Sequence, residues 1–439
     1  MAKIKLTDDQ QKIYDKIVDS VHNNPGRFEA VIVGYAGTGK STLVSEIIKN
    51  LCYGYNIAVT SPTHKANQVL KCMLNNAGVS VSKGEDAEVM TIHSFLGLKL
   101  VYEKSKQVLK HDPKSKNSNM MTDVLFIDEC SMISEELFRH LMTQIHRVRR
   151  AVIFVGDSCQ LPPVEENSNS TKLSPSFGYG EKFELTTVLR QALDNPIIKL
   201  ATEVRECIGT NNDPLRYVYN SACDNILPVD LDETFLDAYY HHVNSTSASL
   251  LYNKVQDNKI IAYTNYRVDL ANITIRSKIF PDVEEELFPG EPIVFESITE
   301  NCPYMVQEMT TCPNVKKDSF MGIDCWLMKT QNGNNIRVVG PVGKLDLNDK
   351  LKELVDKINN KDRNPITKQP YMWQDYYLIK ESINVVNYPY ATTAHKSQGS
   401  TFDNIWFDTD FISRITDNDD KCRILYTALT RPRFSIILK

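Results

Sequence analysis

The sequence predicts an α/β protein carrying two parallel sheets, and three observations predict it. Short apolar runs alternate with amphipathic stretches between Ala30 and Val155. A glycine-rich turn, Gly34-Tyr-Ala-Gly-Thr-Gly-Lys-Ser41, leaves the first of those runs and opens the next amphipathic stretch. The same alternation starts again at Ile260. Strands that alternate with helices form a parallel sheet covered on both faces.

Each element follows from its pattern. Ile13, Ile17, Val18 and Val21 repeat at helical spacing, with Thr7 as N-cap ahead of Asp8 and Asp9, so a helix spans residues 7 to 22. Asn-Asn-Pro-Gly ends it, and Ala30-Val-Ile-Val33 reads as a strand followed by a helix over Thr42 to Leu51. Strands are expected at Ile57 to Thr60, Val124 to Ile127 and Ala151 to Val155, and helices at Lys65 to Leu74 and Glu135 to Ile145. Leu98 to Tyr102 and Val108-Leu109 flank a polar Ser-Lys pair, the pattern of a small β-hairpin. In the second region, Ile260 to Tyr263, Ile405 to Phe407 and Ile436 to Leu438 read as strands and Val268 to Ile279 as a helix. Between about 282 and 385, Pro-Gly, Asn-Gly and Val-Gly turns separate short β-like runs, the pattern of an inserted β domain.

Composition excludes several classes. At 439 residues the chain can hold several domains, and 24% charged with 42% apolar residues is a globular balance. Its apolar runs are strand-length, short of the ~20 residues a spanning helix needs, and the N-terminus has no secretion-signal pattern. Ten cysteines without a CxxC pair fit reduced thiols rather than a zinc site. Lys plus Arg, 50, against Asp plus Glu, 55, gives 50 − 55 = −5, so the whole molecule is not a histone-like polycation. A binding groove needs only local positive charge.

The strongest chemical signal is the GxxxxGK[ST] loop. Its glycines turn backbone N–H groups inward around phosphate oxygens, and the helix behind it adds a partial positive charge. Gly34, Ala36, Gly37, Thr38, Gly39, Lys40, Ser41 and Thr42 are therefore expected to hold a nucleotide, with Lys40 on the β/γ-phosphates and Ser41 on Mg²⁺. The apolar strand Val124 to Ile127 ends in Asp128-Glu129. Asp128 suits the metal's water shell and Glu129 the polarisation of an attacking water. A third strand ends in Gly156-Asp157-Ser158-Cys159-Gln160, where Gln160 can sense the γ-phosphate.

The ordered set of motifs resembles superfamily 1 DNA helicases of the RecD and Dda type. It runs Leu6-Thr-x-x-Gln10, the glycine-rich loop, Ser61-Pro-Thr-His-Lys-Ala66, Thr91-Ile-His-Ser-Phe95, Asp128-Glu-Cys-Ser-Met132 and Gly156-Asp-x-x-Gln-Leu-Pro-Pro163. Leu189-Arg-Gln191, Asn195-Pro-Ile-Ile, Ala262-Tyr-Thr-Asn265, Thr393-Ala-His-Lys-Ser-Gln-Gly399 and Tyr426-Thr-Ala-Leu-Thr-Arg431 continue it to the end of the chain. Pro432-Arg433 departs from many relatives just after Arg431.

The resemblance implies two RecA-like P-loop domains. The first is 1–96 with 119–200, interrupted by a hairpin insert at 97–118; the second is 201–281 with 386–439, interrupted by a small SH3-like β insert at 282–385. It implies that Gln10 reads adenine, that Arg190 and Arg431 approach the γ-phosphate, and that Gly399 lies near the nucleotide. Pro62, Thr63, His64, Thr91, His93, Thr264, Asn265, Thr393, His395 and Lys396 resemble strand-contacting residues, whose hydroxyl, imidazole and amide groups suit backbone phosphates. Phe95 stacks a base or packs beside Leu96 and Leu98; both readings stand. The lysine-rich 97–118 segment resembles a separation pin, or is a solvated hairpin.

The implied activity is ATP-dependent, DNA-stimulated hydrolysis that drives translocation on single-stranded DNA, 5′ to 3′, and unwinding of duplex and fork DNA. The implied cofactors are ATP and Mg²⁺. A monomer without membrane association is expected in the cytoplasm, the bacterial host's if the chain is phage-encoded. Replication or recombination proteins such as a single-strand-binding protein are expected partners. A nucleotide-gated binding switch and an RNA-directed relative remain as alternatives.

Overall fold

The computed structural model describes residues 5–81, 85–103, 106–111, 121–163, 172–188, 195–219, 226–228, 235–299, 302–330, 332–363 and 369–439. The chain divides into two compact units, one of residues 1–227, 397–401 and 410–436 and the other of residues 228–396, 402–409 and 437–439.

The first unit is built on six parallel strands. They are β1 (Phe28–Gly34), β2 (Ile57–Ser61), β3 (Ala87–Thr91), β6 (Thr122–Ile127), β7 (Val148–Gly156) and β8 (Glu181–Leu185), in the spatial order β3-β2-β6-β7-β1-β8. The run Ala30-Val-Ile-Val33 is buried at every position because both faces are covered. Ala30 and Ile32 join Ile13, Leu43, Val59, Phe126 and Ile153 in one core, while Val31 and Val33 join Leu125, Ile127, Leu137 and Phe154 in the other. Helices α1 (Asp8–Asn23), α2 (Lys40–Leu51), α3 (His64–Asn76), α4 (Ile92–Leu96) and α5 (Glu135–Gln144) connect these strands. Thr7 caps α1 as its sequence predicts, accepting from Gln10 N–H while the Gln10 side chain accepts from Thr7 N–H.

Within the expected hairpin segment, β4 (Leu98–Glu103) and β5 (Lys106–His111) pair antiparallel, from Leu98 opposite His111 to Glu103 opposite Lys106. Residues 104–105 and 112–120 of that segment lie outside the described residues.

The units do not follow the expected domain bounds. Helix Asn418–Leu429 packs against helix Pro196–Glu206, and this pairing keeps both with the first sheet rather than with the second. Buried Cys422, Leu425 and Leu429 and buried Ile197, Leu200 and Val204 give these two helices apolar faces that must be covered.

After the short strand β9 (Ile226–Pro228), the second unit holds the parallel set β17 (Ala391–Thr393), β10 (Asn258–Ala262) and β18 (Phe402–Phe407), with β10 between its partners. Residues 282–385 are more than β structure. β11 (Pro292–Ser297), β12 (Met309–Thr311), β13 (Val315–Phe320), β14 (Ile323–Lys329), β15 (Asn335–Val339) and β16 (Ile383–Asn387) form a sheet in the order β12-β11-β16-β15-β14-β13. Only the β15–β16 pair is parallel. Two helices, Pro341–Asn359 and Trp373–Lys380, cover it, burying Leu347, Leu354, Tyr376 and Ile379 against Ile323, Val339 and Val385. The chain ends in β19 (Pro432–Leu438).

Candidate nucleotide and nucleic-acid site

The first unit carries a cleft of about 580 Å³ where the carboxyl ends of its strands meet the glycine-rich loop. Its lining includes Tyr35, Ala36, Gly37, Gly39, Lys40 and Ser41 of the loop, Asp128 and Glu129 beyond β6, Ala66, Val69 and Met73 of α3, and Gln160, Gly399, Ser400 and Arg431. Ligands in open α/β sheets bind at this end of the strands.

The loop holds its own shape. Thr38 donates its N–H and its hydroxyl to the Tyr35 carbonyl, at 3.3 and 2.8 Å, and Gly39 has φ 74°, a left-handed turn that aims the α2 N-terminus at the cleft. Lys40 Nζ donates to the Gly34 and Tyr35 carbonyls, so the ammonium already lies over the loop. A Cβ on Gly34 would stand 2.9 Å from Lys40 Cγ and 2.8 Å from Thr38 Oγ1, which explains the glycine. Thr42 follows in the first turn of α2.

Burial, and then the neighbouring Glu129, pushes the Asp128 carboxyl well up from the usual carboxylate range. Glu129 sits at φ 51°, a conformation rare outside glycine, where its carbonyl accepts from Met132 N–H and starts the turn Cys130–Met132. Ser41 Oγ and the Asp128 carboxylate are hard oxygen donors, the kind of set Mg²⁺ takes together with phosphates and water. No larger cluster of His, Cys, Asp or Glu suited to a metal occurs among the described residues.

The carboxyl-terminal segment completes the cleft. Arg431 is 6% exposed and donates to the Thr427 and Ser400 carbonyls and to Thr430 Oγ1, at 3.0, 3.2 and 2.9 Å. Gly399, at φ 69°, presses on α3: a Cβ there would be 2.9 Å from Ala66 Cβ. Gln160 Oε1 and Ser400 Oγ are buried and have no hydrogen-bond partner among the described residues; both residues line the cleft and can receive a ligand's donors.

Gln10 is 3% exposed and outside the cleft lining; its Nε2 donates to the Thr38 carbonyl at 3.0 Å and its Oε1 accepts from Thr7 N–H. In this structure Gln10 ties α1 to the loop with one N–H and one lone pair of its amide. Arg190 lies outside the described residues.

Sequence reading missed the hydroxyl of Tyr426. It accepts from Ala36 N–H at 2.9 Å and donates to Asp157 Oδ2 at 2.7 Å, while Asp157 is fully buried and its Oδ1 accepts from Cys159 N–H. Thr427 Oγ1 accepts from Leu161 N–H, and Gln398 Nε2 donates to the Leu161 carbonyl. A phenol among the apolar residues Ile424, Leu425, Ala428 and Leu429 was the available signal, since a buried Tyr usually finds a polar partner.

A family model described as an AAA domain matches residues 5–210, and one described as a UvrD-like helicase C-terminal domain matches residues 388–437. The curated relatives include the ATP-dependent DNA helicase dda of Enterobacteria phage T4, 27% identical over 467 aligned residues that take in 98% of each chain. The RecBCD subunit RecD of Buchnera aphidicola is 30% identical over 38% of this chain and 28% of its own. The chain is a superfamily 1 helicase of the RecD/Dda type. Among solved structures, Bacteroides Pif1 helicase in complex with ADP-AlF3 and ssDNA superposes with a TM-score of 0.53 over all of this chain and 93% of that one, at 18% identity, and so shares the fold.

In this helicase the expected strand-contacting residues gather at strand ends within each unit. In the first, Ser61 pairs with Thr91 across β2 and β3, bringing Pro62, Thr63 and His64 beside Thr91 and His93. Burial, with His64 and His140 nearby, pushes the His93 imidazole below its ordinary value, favouring the neutral ring. In the second, β10 and β17 lie side by side, with Thr264 and Asn265 leaving one and Thr393, His395 and Lys396 at the end of the other. Four threonines share one geometry: Thr63, Thr91, Thr264 and Thr393 each accept the N–H three residues on, from Ala66, Ser94, Arg267 and Lys396, at 3.1 to 3.3 Å.

Phe95 does not belong to this set. It is 1% exposed in the core with Ile92, Leu96, Leu125 and Ile127, and Arg147 lies 5.7 Å from its ring centroid. The α4 turn aims the side chain at the sheet, so the stacking reading is withdrawn.

Proposed function

We propose that this helicase couples ATP hydrolysis to 5′ to 3′ translocation on single-stranded DNA and unwinds duplex DNA at a fork. One observation carries the reading: the glycine-rich loop, Asp128, Glu129, Gln160 and Arg431 line a single cleft. The phage T4 relative, named an ATP-dependent DNA helicase, aligns along nearly the whole chain and supports the same activity.

Lys40 and the N–H groups of the loop and α2 bind the β- and γ-phosphates, and Ser41 and Asp128 hold Mg²⁺, which offsets phosphate charge when bound. Glu129 orients the attacking water and accepts its proton. Arg431 supplies positive charge to the oxygens of the γ-phosphoryl group as it passes from ADP to water, and Gln160 reads the presence of that group. Arg190 is proposed as a second cation and Gly399 as a backbone neighbour of the nucleotide. Gln10 is proposed to read adenine with the second N–H and second lone pair of its amide, the first of each being held by the Thr38 carbonyl and Thr7 N–H.

Thr63, Thr264 and Thr393 can turn a hydroxyl hydrogen to a phosphate oxygen while a lone pair holds the backbone, whereas Thr91 donates its own to Ser94 Oγ at 2.9 Å. With His64, His93, Asn265, His395 and Lys396 they hold a strand by its backbone without reading sequence. The β4–β5 hairpin is proposed as the separation pin. The enzyme is proposed to act as a monomer beside single-strand-binding and other replication or recombination proteins; no described helix is long and apolar enough to cross a membrane.

The test compares ATPase activity with and without single-stranded DNA, and with RNA, alongside strand separation on duplexes with 5′ or 3′ overhangs. DNA stimulation and a 5′-overhang requirement are expected. ATPase activity indifferent to DNA would overturn the reading.

A further inference from the structure

Glu296 stands between two lysines. Its Oε2 accepts from Lys344 Nζ at 2.6 Å and its Oε1 from Lys396 Nζ at 3.2 Å. Lys396 follows Thr393 and His395, whereas Lys344 comes from the first turn of helix Pro341–Asn359, which no strand-contacting motif includes. Three separate segments of the second unit thus meet at one carboxylate.

The backbone is arranged for this. β11 pairs with β16 at Phe295 opposite Val386 and at Ser297 opposite Val385, so Glu296 is the extra residue of a β-bulge. A bulge re-aims the side chain it carries and is common beside functional sites. The helix bearing Lys344 is fixed at its start by Glu286, whose Oε1 accepts from Val342 and Gly343 N–H. The Glu296 side chain is 15% exposed, against 33% for Lys344 and 40% for Lys396. The lysines reach solvent and the carboxylate lies behind them.

A carboxylate bridging two ammonium groups has the charge and spacing of a backbone phosphate in the same position. We infer that Glu296 is an internal stand-in for a strand phosphate, and that Lys344 is a further phosphate-binding residue beside Lys396, released to the strand as the strand displaces Glu296. The inference rests on the proposed grip of single-stranded DNA and adds to it one contact and one competitor. Lys344 and Lys396 against Glu296 leave a local charge of +1, which the Glu296→Gln change raises to +2. Burial alone would raise the Glu296 carboxyl, but Lys396 and Lys344 outweigh it and hold the group below its ordinary value, so the competitor is ionised near neutrality.

The experiment measures binding of the full chain to fluorescent oligothymidine across a salt series, without nucleotide. Each phosphate contact is worth about threefold in affinity over a fourfold salt change. Glu296→Gln is expected to bind about threefold tighter or more at moderate salt. Lys344→Gln is expected to bind more weakly, with a log–log salt slope shallower by about 0.7. Glu353→Gln removes an equal charge from a surface pair with Lys350 and Lys357 on the same helix and is expected to change neither quantity. Thermal melts check that each variant is folded. Unchanged or weaker binding by Glu296→Gln, or a gain matched by Glu353→Gln, overturns the stand-in. An unchanged slope in Lys344→Gln overturns the contact even if Glu296→Gln fails to fold. Absence of binding by the unaltered protein overturns the strand grip itself, a separate outcome.

Discussion

Tyr426 Oη lies 2.7 Å from Asp157 Oδ2 and is the only link, among the described residues, between that carboxylate and the glycine-rich loop through Ala36 N–H. Burial pushes the phenol far above its ordinary value, so it stays a donor at any working pH. Tyr426→Phe keeps the ring but leaves a buried carboxylate oxygen and a loop N–H without this partner. A loss of about 1 to 3 kcal/mol in denaturant stability is expected, together with a lower kcat. Asp157→Asn, which still offers an acceptor, should cost less in both measurements.

Lys40→Ala should abolish hydrolysis, because the ammonium over the loop is the cation placed for the β/γ-phosphates. A loss of roughly 10³-fold or more in steady-state ATPase is expected. Near-normal turnover would contradict the loop's role.

Glu129→Gln should retain nucleotide affinity and lose turnover by roughly 10²- to 10⁴-fold, since the amide keeps the polar contacts and cannot accept a proton. Fluorescent-nucleotide binding and ATPase rates on one preparation check it. Parallel loss of both would assign Glu129 a structural role, holding the turn that its left-handed backbone begins.

Phe95→Ala should act on stability and not on the strand. Emptying a fully buried aromatic site costs about 3 to 5 kcal/mol, read from chemical denaturation. Oligothymidine affinity, measured where the variant is folded, should stay near that of the unaltered chain. Selective loss of affinity with normal stability would restore the stacking role.

Replacing residues 99–110 by a short Gly-Ser turn should spare DNA-stimulated ATPase and translocation and cripple duplex unwinding. If both fall together, the hairpin belongs to the grip or the fold; if neither falls, it is a solvated feature.

The first sheet was legible in the sequence wherever burial on both faces made a strand continuously apolar, as at Ala30 to Val33. β8 escaped because Glu-Lys-Phe-Glu-Leu buries only Leu185, and a mostly exposed edge strand carries little pattern. The helix Pro341–Asn359 escaped because the Pro and Gly at its start read as turn residues, although Pro suits a first helical turn. Lys40, Asp128 and Glu129 were recognisable because backbone geometry fixes their spacing. Gln10's two further contacts were not legible, since the same amide can serve a capping box, the loop and a base at once. Phe95 lost its ambiguity for a similar reason: the direction of one short helix decides whether its ring meets a sheet or solvent.

The shared threonine geometry bears on speed. Because each hydroxyl already holds the first turn behind it, these contact points need no backbone ordering when a phosphate arrives and no unravelling when it leaves. Association then spends little conformational entropy, and dissociation crosses no barrier of local unfolding. A protein that releases and regrips a strand as it moves gains from contacts of this kind, quick to exchange and individually weak, with persistence on the strand coming from their number.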